Sequence, residues 1–264
     1  MAKPHELARY NASQMDIPAY LDRIKYRGPL NCDLETLTAL HVAHLRNVPF
    51  ENLSIHAGER IVLDDAALFE KIVRRRRGGF CYELNGLFGS LLRTLGFKVG
   101  MLSAQVRNDD GGFSADFDHM ALLVTLEQEW LADVGFGDSF IEPLAMNEAK
   151  PQVQEKRNYR IDRDGDYLVM LRTEPGGDVW EPQYRFTRQT YQYADYAERC
   201  RYHQTSPESH FTRNSICSML TEKGRISVSD TRFIVSEHGE RNERAVAGDE
   251  DYRQLLREHF GIVM

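Results

Sequence analysis

Through the first hundred residues apolar positions recur every three or four places; beyond Gly96 they gather into short alternating or continuous runs. Ile17, Tyr20, Leu21 and Ile24 follow Asp16, whose carboxylate can accept the free amides of a first turn, so the spacing predicts a helix there. Asp33 opens a second helix, with Leu34, Leu37, Leu40 (or His41) and Leu45 on or near one face. It stops near Pro49, because proline biases the residue before it away from helix. Asp64 opens a third, carrying Leu68, Ile72 and Val73. A fourth runs through Leu84, Leu87, Phe88, Leu91, Leu92 and Leu95 to a stop at Gly96.

Residues 98–107, 119–126 and 129–134 read as strands, and further strand pairs are predicted around Asp164-Gly165 and Ser229-Asp230. A polar, glycine-containing loop, 108–118, ends at His119. Residues 249–260 close the pattern as an amphipathic helix with Tyr252, Leu255, Leu256 and His259 inward. No repeat or low-complexity linker divides the chain. The boundaries near 97 and 203 are therefore changes of architecture, giving a helical part (1–97), a β-rich part (98–203) and a mixed part (204–264).

Composition narrows the function. Of 264 residues 42% are hydrophobic, enough for a real core. Lys and Arg number 33 against 40 Asp and Glu, a net charge of −7, which argues against a general nucleic-acid binder. No apolar run approaches the ~20 residues of a membrane span, and the first sixteen residues hold no stretch fit for a secretory signal. Cys32, Cys81, Cys200 and Cys217 are far apart and form no C-x-x-C pair. That excludes a disulfide scaffold or zinc knuckle and favours a reducing, cytoplasmic compartment without a metal role.

Cys81 follows Gly78-Gly79-Phe80 and precedes the fourth helical pattern. A thiol at a helix start faces the positive end of the macrodipole, which favours thiolate. Alone, it fits a small buried core residue as well as a nucleophile; Cys32, Cys200 and Cys217 read as core residues. A nucleophilic cysteine needs a base, and the base an orienter. His119 begins one strand and Asp133 lies in the next, close enough for a hairpin. In regular pairing the two share a face only if the turn has an odd number of residues, or if a bulge intervenes. Each has a bland alternative as a structural histidine or a turn aspartate. The order thiol, histidine, acid makes the set point to nucleophilic catalysis.

The string Arg77-Gly78-Gly79-Phe80-Cys81-Tyr82-Glu83-Leu84-Asn85 resembles the nucleophile signature of the arylamine N-acetyltransferases. VPFENL (48–53), HMALLV from His119, DVGFG from Asp133, YHQTSPESHFTRNSICS (202–218) and Lys223-Gly224-Arg225-Ile226 resemble further family blocks in the same order. The resemblance implies an α+β fold: an N-terminal helical bundle (1–97), a central β-barrel (98–203) and a C-terminal sheet-and-helix lid (204–264) around a cysteine-protease-like Cys-His-Asp core. It implies acetyl transfer from acetyl-CoA to arylamines, arylhydrazines or arylhydroxylamines through an acetyl thioester on Cys81, with His119 as base and Asp133 as its orienter. It places Phe50, Phe136 and Phe211 in the acceptor pocket and Tyr202 near the coenzyme; without it these rings read as core packing. The expected partners are CoA and a small aromatic acceptor, with neither nucleic acid nor membrane.

Two features depart from the family pattern. Arg74 to Arg77 form a run read as a solvated helix face, which could instead attract coenzyme phosphates or tune Cys81. Asp116 and Asp118 could repel those phosphates or select a basic acceptor. The alternative function in the same fold is an amide (macrolactam) synthase, taking a polyketide acyl chain from a carrier protein. Further rivals are a cysteine hydrolase or transglutaminase-like enzyme and a non-catalytic interaction module.

Overall fold

The computed structural model describes residues 15–147, 150–155 and 157–264. Residues 1–14, most of the start read above as lacking a secretory signal, lie outside the described residues. The helical part contains α1 (Ile17–Arg23), α2 (Leu34–Asn47), the short strand β1 (Phe50–Glu51), α3 (Leu53–His56), α4 (Asp65–Phe69) and α5 (Cys81–Thr94). Asp16, Asp33 and Asp64 cap α1, α2 and α4: they accept from Ala19 N at 3.1 Å, Thr36 N at 2.8 Å, and Ala66 N and Ala67 N at 3.0 and 3.2 Å. The third predicted helix is divided, since α4 passes into a π-helical turn, Glu70–Arg74. Arg23 of α1 reaches the carbonyls where that turn ends, at 2.9 Å to Ile72 and 3.1 Å to Arg77, and also bonds Asn47 O. Residues 81–92 of α5 are buried on every side, so this helix is the centre of the N-terminal core.

The middle of the chain forms β2 (Lys98–Val106), β3 (His119–Thr125), β4 (Glu129–Ala132), β5 (Leu144–Ala145), β6 (Gln152–Val153), β7 (Asn158–Asp164), β8 (Tyr167–Thr173) and β9 (Glu181–Tyr191). They make one eight-stranded sheet in the order β5-β4-β3-β2-β9-β8-β7-β6. Gln152 on one edge strand accepts from Ala145 N at 2.7 Å and donates to Ala145 O at 3.0 Å on the other. One side chain thus bridges the two edges and nearly closes the sheet into a barrel. Its interior holds Leu102, Leu131, Phe140, Ile161, Tyr184 and Phe186.

Then follow α6 (Tyr193–Thr205), α7 (His210–Arg213), β10 (Ile216–Leu220), β11 (Gly224–Ser229), β12 (Arg232–Glu237), β13 (Glu240–Ala245) and α8 (Asp249–Phe260). The second sheet runs β1-β10-β11-β12-β13, with Phe50 opposite Ser218. It therefore includes a strand from the helical part of the chain. Leu255, Leu256 and Phe260 of α8 pack with Leu53, Cys217 and Val228. Helix α6 was not foreseen: its buried residues are Tyr196, Cys200 and His203, three polar-capable types among charged ones, so no apolar stripe marks it. Cys32, read as a core residue, is exposed.

Candidate active site

The segment Arg77–Phe80 is pressed against the chain at Pro49–Glu51. Gly79 O accepts from Glu51 N at 2.9 Å. A Cβ on Gly78 would lie 2.0 Å from Pro49 O, and one on Gly79 would lie 2.7 Å from Glu83 Cβ, so only glycine allows this approach. Buried ions fix the segment further. Glu51 accepts from Arg77 Nε at 3.1 Å, Gly78 N at 3.2 Å and Leu53 N at 2.6 Å. Glu83 accepts from Lys71 Nζ at 2.7 Å and from Phe80 N at 3.2 Å, immediately before the helix. The two acids and two bases neutralise one another, which is the condition for burying them.

Cys81 is the first residue of α5 and is 3% exposed. Two effects act against each other on this thiol: the helix start favours thiolate, and burial opposes it. Burial pushes the Cys81 thiol well above its ordinary value; hydrogen bonding to the Met120 backbone opposes this, and the charges of Asp133 and Asp118 add to it. Desolvation of a lone thiolate thus opposes the pull of the helix end.

Strands β3 and β4 pair with Thr125 opposite Glu129 and Leu122 opposite Ala132, leaving the three-residue turn 126–128. That odd number puts Asp133 on the face of His119. His119 Nε2 lies 2.7 Å from Asp133 Oδ2, with both side chains buried. Tyr184 Oη donates to the same oxygen at 3.1 Å. Asp133 Oδ1 accepts from Asn85 Nδ2 at 2.8 Å and Gly135 N at 2.9 Å. Burial raises the Asp133 carboxyl, but the charge and hydrogen bond of His119, with those of Asn85 and Gly135, hold it below its ordinary value. Ionised Asp133 can only accept, so Nε2 is the protonated nitrogen of His119 and Nδ1 is free to exchange a proton.

Asn85 joins the helix to the hairpin. One turn after Cys81, it donates to Met120 O at 2.6 Å as well as to Asp133, and accepts from Val134 N at 2.8 Å. Gly135 lies directly against the start of α5. Sequence reasoning missed the roles of Asn85, Tyr184, Glu51 and His41, whose Nε2 accepts from Asp133 N at 3.0 Å. Asn85 was within reach of it: four residues after Cys81, it shares that residue's helix face.

The aromatic candidates divide. Phe50 and Phe211 meet at 6.2 Å between ring centroids, and Phe211 lies 5.6 Å from Phe80, beside the start of α5. Phe136 stands edge-on to His119 at 5.0 Å and also touches Tyr184. Tyr202 lies against Arg199 and His203, and His203 in turn meets Phe211 at 5.2 Å between centroids.

The two acids before His119 differ: Asp116 is exposed, and Asp118 is partly buried. Asp116 accepts from Gln105 at 2.7 Å. Asp118 binds Arg199 Nε at 2.7 Å and His203 Nε2 at 3.0 Å, so its charge ties α6 to the hairpin and does not stand free to meet a coenzyme or a basic acceptor. In the arginine run, Arg74, Arg75 and Arg76 are exposed, and only Arg77 is buried. A cavity of about 480 Å³ lies between the loop after Asp133 and the C-terminal sheet, lined by Asp138, Ser139, Arg157 and Arg225 among others; Cys81, His119 and Asp133 do not line it. Among the described residues no group of three His, Cys, Asp or Glu is placed to hold a metal, and no helix is long and apolar enough to cross a membrane.

Comparison with known proteins gives concordant matches. An N-acetyltransferase family model matches residues 33–264. The arylamine N-acetyltransferase pineal gland isozyme NAT-10 of Gallus gallus is 32% identical over 275 residues, covering 95% of each chain. The arylamine N-acetyltransferase of Salmonella typhimurium is similar in structure, with a TM-score of 0.88 and 30% identity over 94% of this chain and 92% of that one. That of Mycobacterium marinum, solved in complex with CoA, gives 0.86 and 31% over 94% and 93%.

Proposed function

Because the chain belongs to the arylamine N-acetyltransferase family, we propose that Cys81, His119 and Asp133 carry an acetyl group from acetyl-CoA to the nitrogen or oxygen of an arylamine, arylhydrazine or arylhydroxylamine. The protein is an acyltransferase that uses acetyl-CoA as co-substrate. The relatives named above give the amide-synthase alternative no support. The observation that carries the residue assignment is the buried His119–Asp133 contact of 2.7 Å, tied by Asn85 to the helix that begins at Cys81.

In this mechanism the Cys81 thiol gives its proton to His119 Nδ1. A lone thiolate is disfavoured at this burial. Charge therefore separates as a thiolate–imidazolium pair, and Asp133 compensates the imidazolium through Nε2–H. The thiolate attacks the acetyl carbonyl carbon; the N–H groups of Cys81 and Tyr82, at the start of α5, donate to the oxyanion. The carbon–sulfur bond to CoA breaks, and His119 returns its proton to the departing CoA sulfur. The acceptor nitrogen then attacks the Cys81 thioester, its proton passes to His119, and the Cys81 sulfur leaves as thiolate and is reprotonated.

Phe50 and Phe211, beside Phe80 at the start of α5, and Phe136, against His119, offer flat apolar surfaces for the acceptor. Tyr202 is assigned to the coenzyme side. On this reading residues 1–97 supply the nucleophile, 98–203 the base and its orienter, and 204–264 the covering sheet and helix. A reducing cytoplasmic setting suits a reaction that needs the free thiol. Initial rates measured over a grid of acetyl-CoA and arylamine concentrations test the scheme. Parallel double-reciprocal lines are expected from two half-reactions; intersecting lines contradict it.

A further inference from the structure

We propose that His41 is a positioning residue for this reaction, setting Asp133 with one ring nitrogen and the loop beyond it with the other. The proposal rests on the reading that Asp133 orients His119. His41 lies on α2 and is fully buried. Asp133 N donates to Nε2 at 3.0 Å, and a backbone amide can only donate, so Nε2 carries the lone pair. Nδ1 therefore carries the hydrogen and donates it to Ile141 O at 2.7 Å. The two bonds define a single neutral tautomer. The ring is stacked on Phe140, 5.8 Å between centroids and 11° from parallel, which fixes its plane.

These contacts clamp the two ends of the segment 133–141. Asp133, whose carboxylate holds His119, stands at one end and Ile141 at the other. Between them lie Gly135, against Cys81, and Phe136, against the His119 ring. One nitrogen thus bears on the orientation of Asp133, and so on acylation of Cys81. The other bears on the seat of Phe136, and so on the acceptor.

Two substitutions separate these effects. A glutamine oxygen reaches the place of Nε2, and an asparagine amide reaches the place of Nδ1. His41→Gln keeps an acceptor for Asp133 N and gives up Ile141 O; His41→Asn does the reverse. Both are first compared with the parent by circular dichroism and thermal melting. In single-turnover acylation by acetyl-CoA, His41→Asn is expected to lose about ten- to a hundredfold, the usual cost of a small misplacement. His41→Gln should lose much less. In steady state, His41→Gln should instead raise the arylamine KM by about two- to tenfold, the worth of one hydrogen bond. Equal losses of acylation in both variants with no change in KM, or no loss in either, overturn the proposal.

A measurement on the parent protein stands even if a variant fails to fold. Nitrogen NMR with 15N-histidine should find His41 neutral and protonated at Nδ1; a ring protonated at Nε2, or at both nitrogens, overturns it. If the parent does not acylate at all, the proposed active-site chemistry fails, and the NMR result alone decides the clamp.

Discussion

Replacing Gly135 with alanine puts a methyl group where the hairpin meets the helix of the nucleophile. The added Cβ would lie 2.7 Å from Cys81 Cα, 2.7 Å from Asn85 Nδ2 and 3.1 Å from Cys81 O, whereas ordinary contact begins at 3.4 Å. The shortfall is 3.4 − 2.7 = 0.7 Å. Neither close neighbour can swing away. The first is backbone in a buried helix, and the second is held at 2.6 Å by Met120 O and 2.8 Å by Asp133. The loop itself must retreat, carrying Gly135 N off Asp133 Oδ1 and turning the carboxylate that meets His119. Overpacking of this kind costs about 1–3 kcal/mol. In a chain of this size that lowers the melting temperature by about 2–12 °C. The misplacement should slow acylation by about ten- to a hundredfold. Melting followed by circular dichroism and stopped-flow release of CoA read the two effects separately. A Gly135→Ala protein with the parent's melting temperature and acylation rate would refute the packing that this account places at the thiol.

Cys81→Ser is expected to fold and melt like the parent while forming no thioester and transferring no acetyl group, as followed by arylamine acetylation. Asp133→Asn should cut turnover by about 10³–10⁴-fold, because its amide can hold the wrong imidazole tautomer; near-parental turnover would count against Asp133 as orienter. Glu51→Ala leaves Arg77 buried without its partner, so urea denaturation should register a loss of about 3–5 kcal/mol. Asp118 is raised by burial but brought down from 3.8 to about 2 by His203 and Arg199. Its depressed value stabilises the folded state above about pH 4, and that contribution, about 2 kcal/mol, is lost as pH falls towards 2. Asp118→Asn should flatten the acid limb of the stability–pH curve measured by denaturant unfolding; an unchanged limb contradicts the pairing.

What could be read beforehand was local. Asp16, Asp33 and Asp64 cap helices because each stands just before a one-sided apolar stripe. The turn between His119 and Asp133 was legible only as a choice between an odd count and a bulge, and the pairing of Thr125 with Glu129 decides it. The hidden features depend on distant partners. Strand β1 is only Phe50–Glu51, too short for a periodic signal, and exists because Ser218 and Cys217 lie opposite. The near closure of the barrel rests on Gln152 meeting Ala145. At the site, Cys81, His119 and Asp133 stand in recognisable strings. Tyr184 and His41 reach Asp133 from far along the chain, with no local pattern to announce them. The environment of Cys81 was legible only in part for a related reason: a helix start is visible in sequence, whereas complete burial is a property of the fold.

The most direct test of the central claim is intact and peptide mass spectrometry after exposure to acetyl-CoA alone, then to an aromatic amine. One acetyl group should appear, on the peptide holding Cys81, and leave when the amine is added. Acetylation at another residue, or an acetyl group on Cys81 that the amine cannot remove, would contradict it.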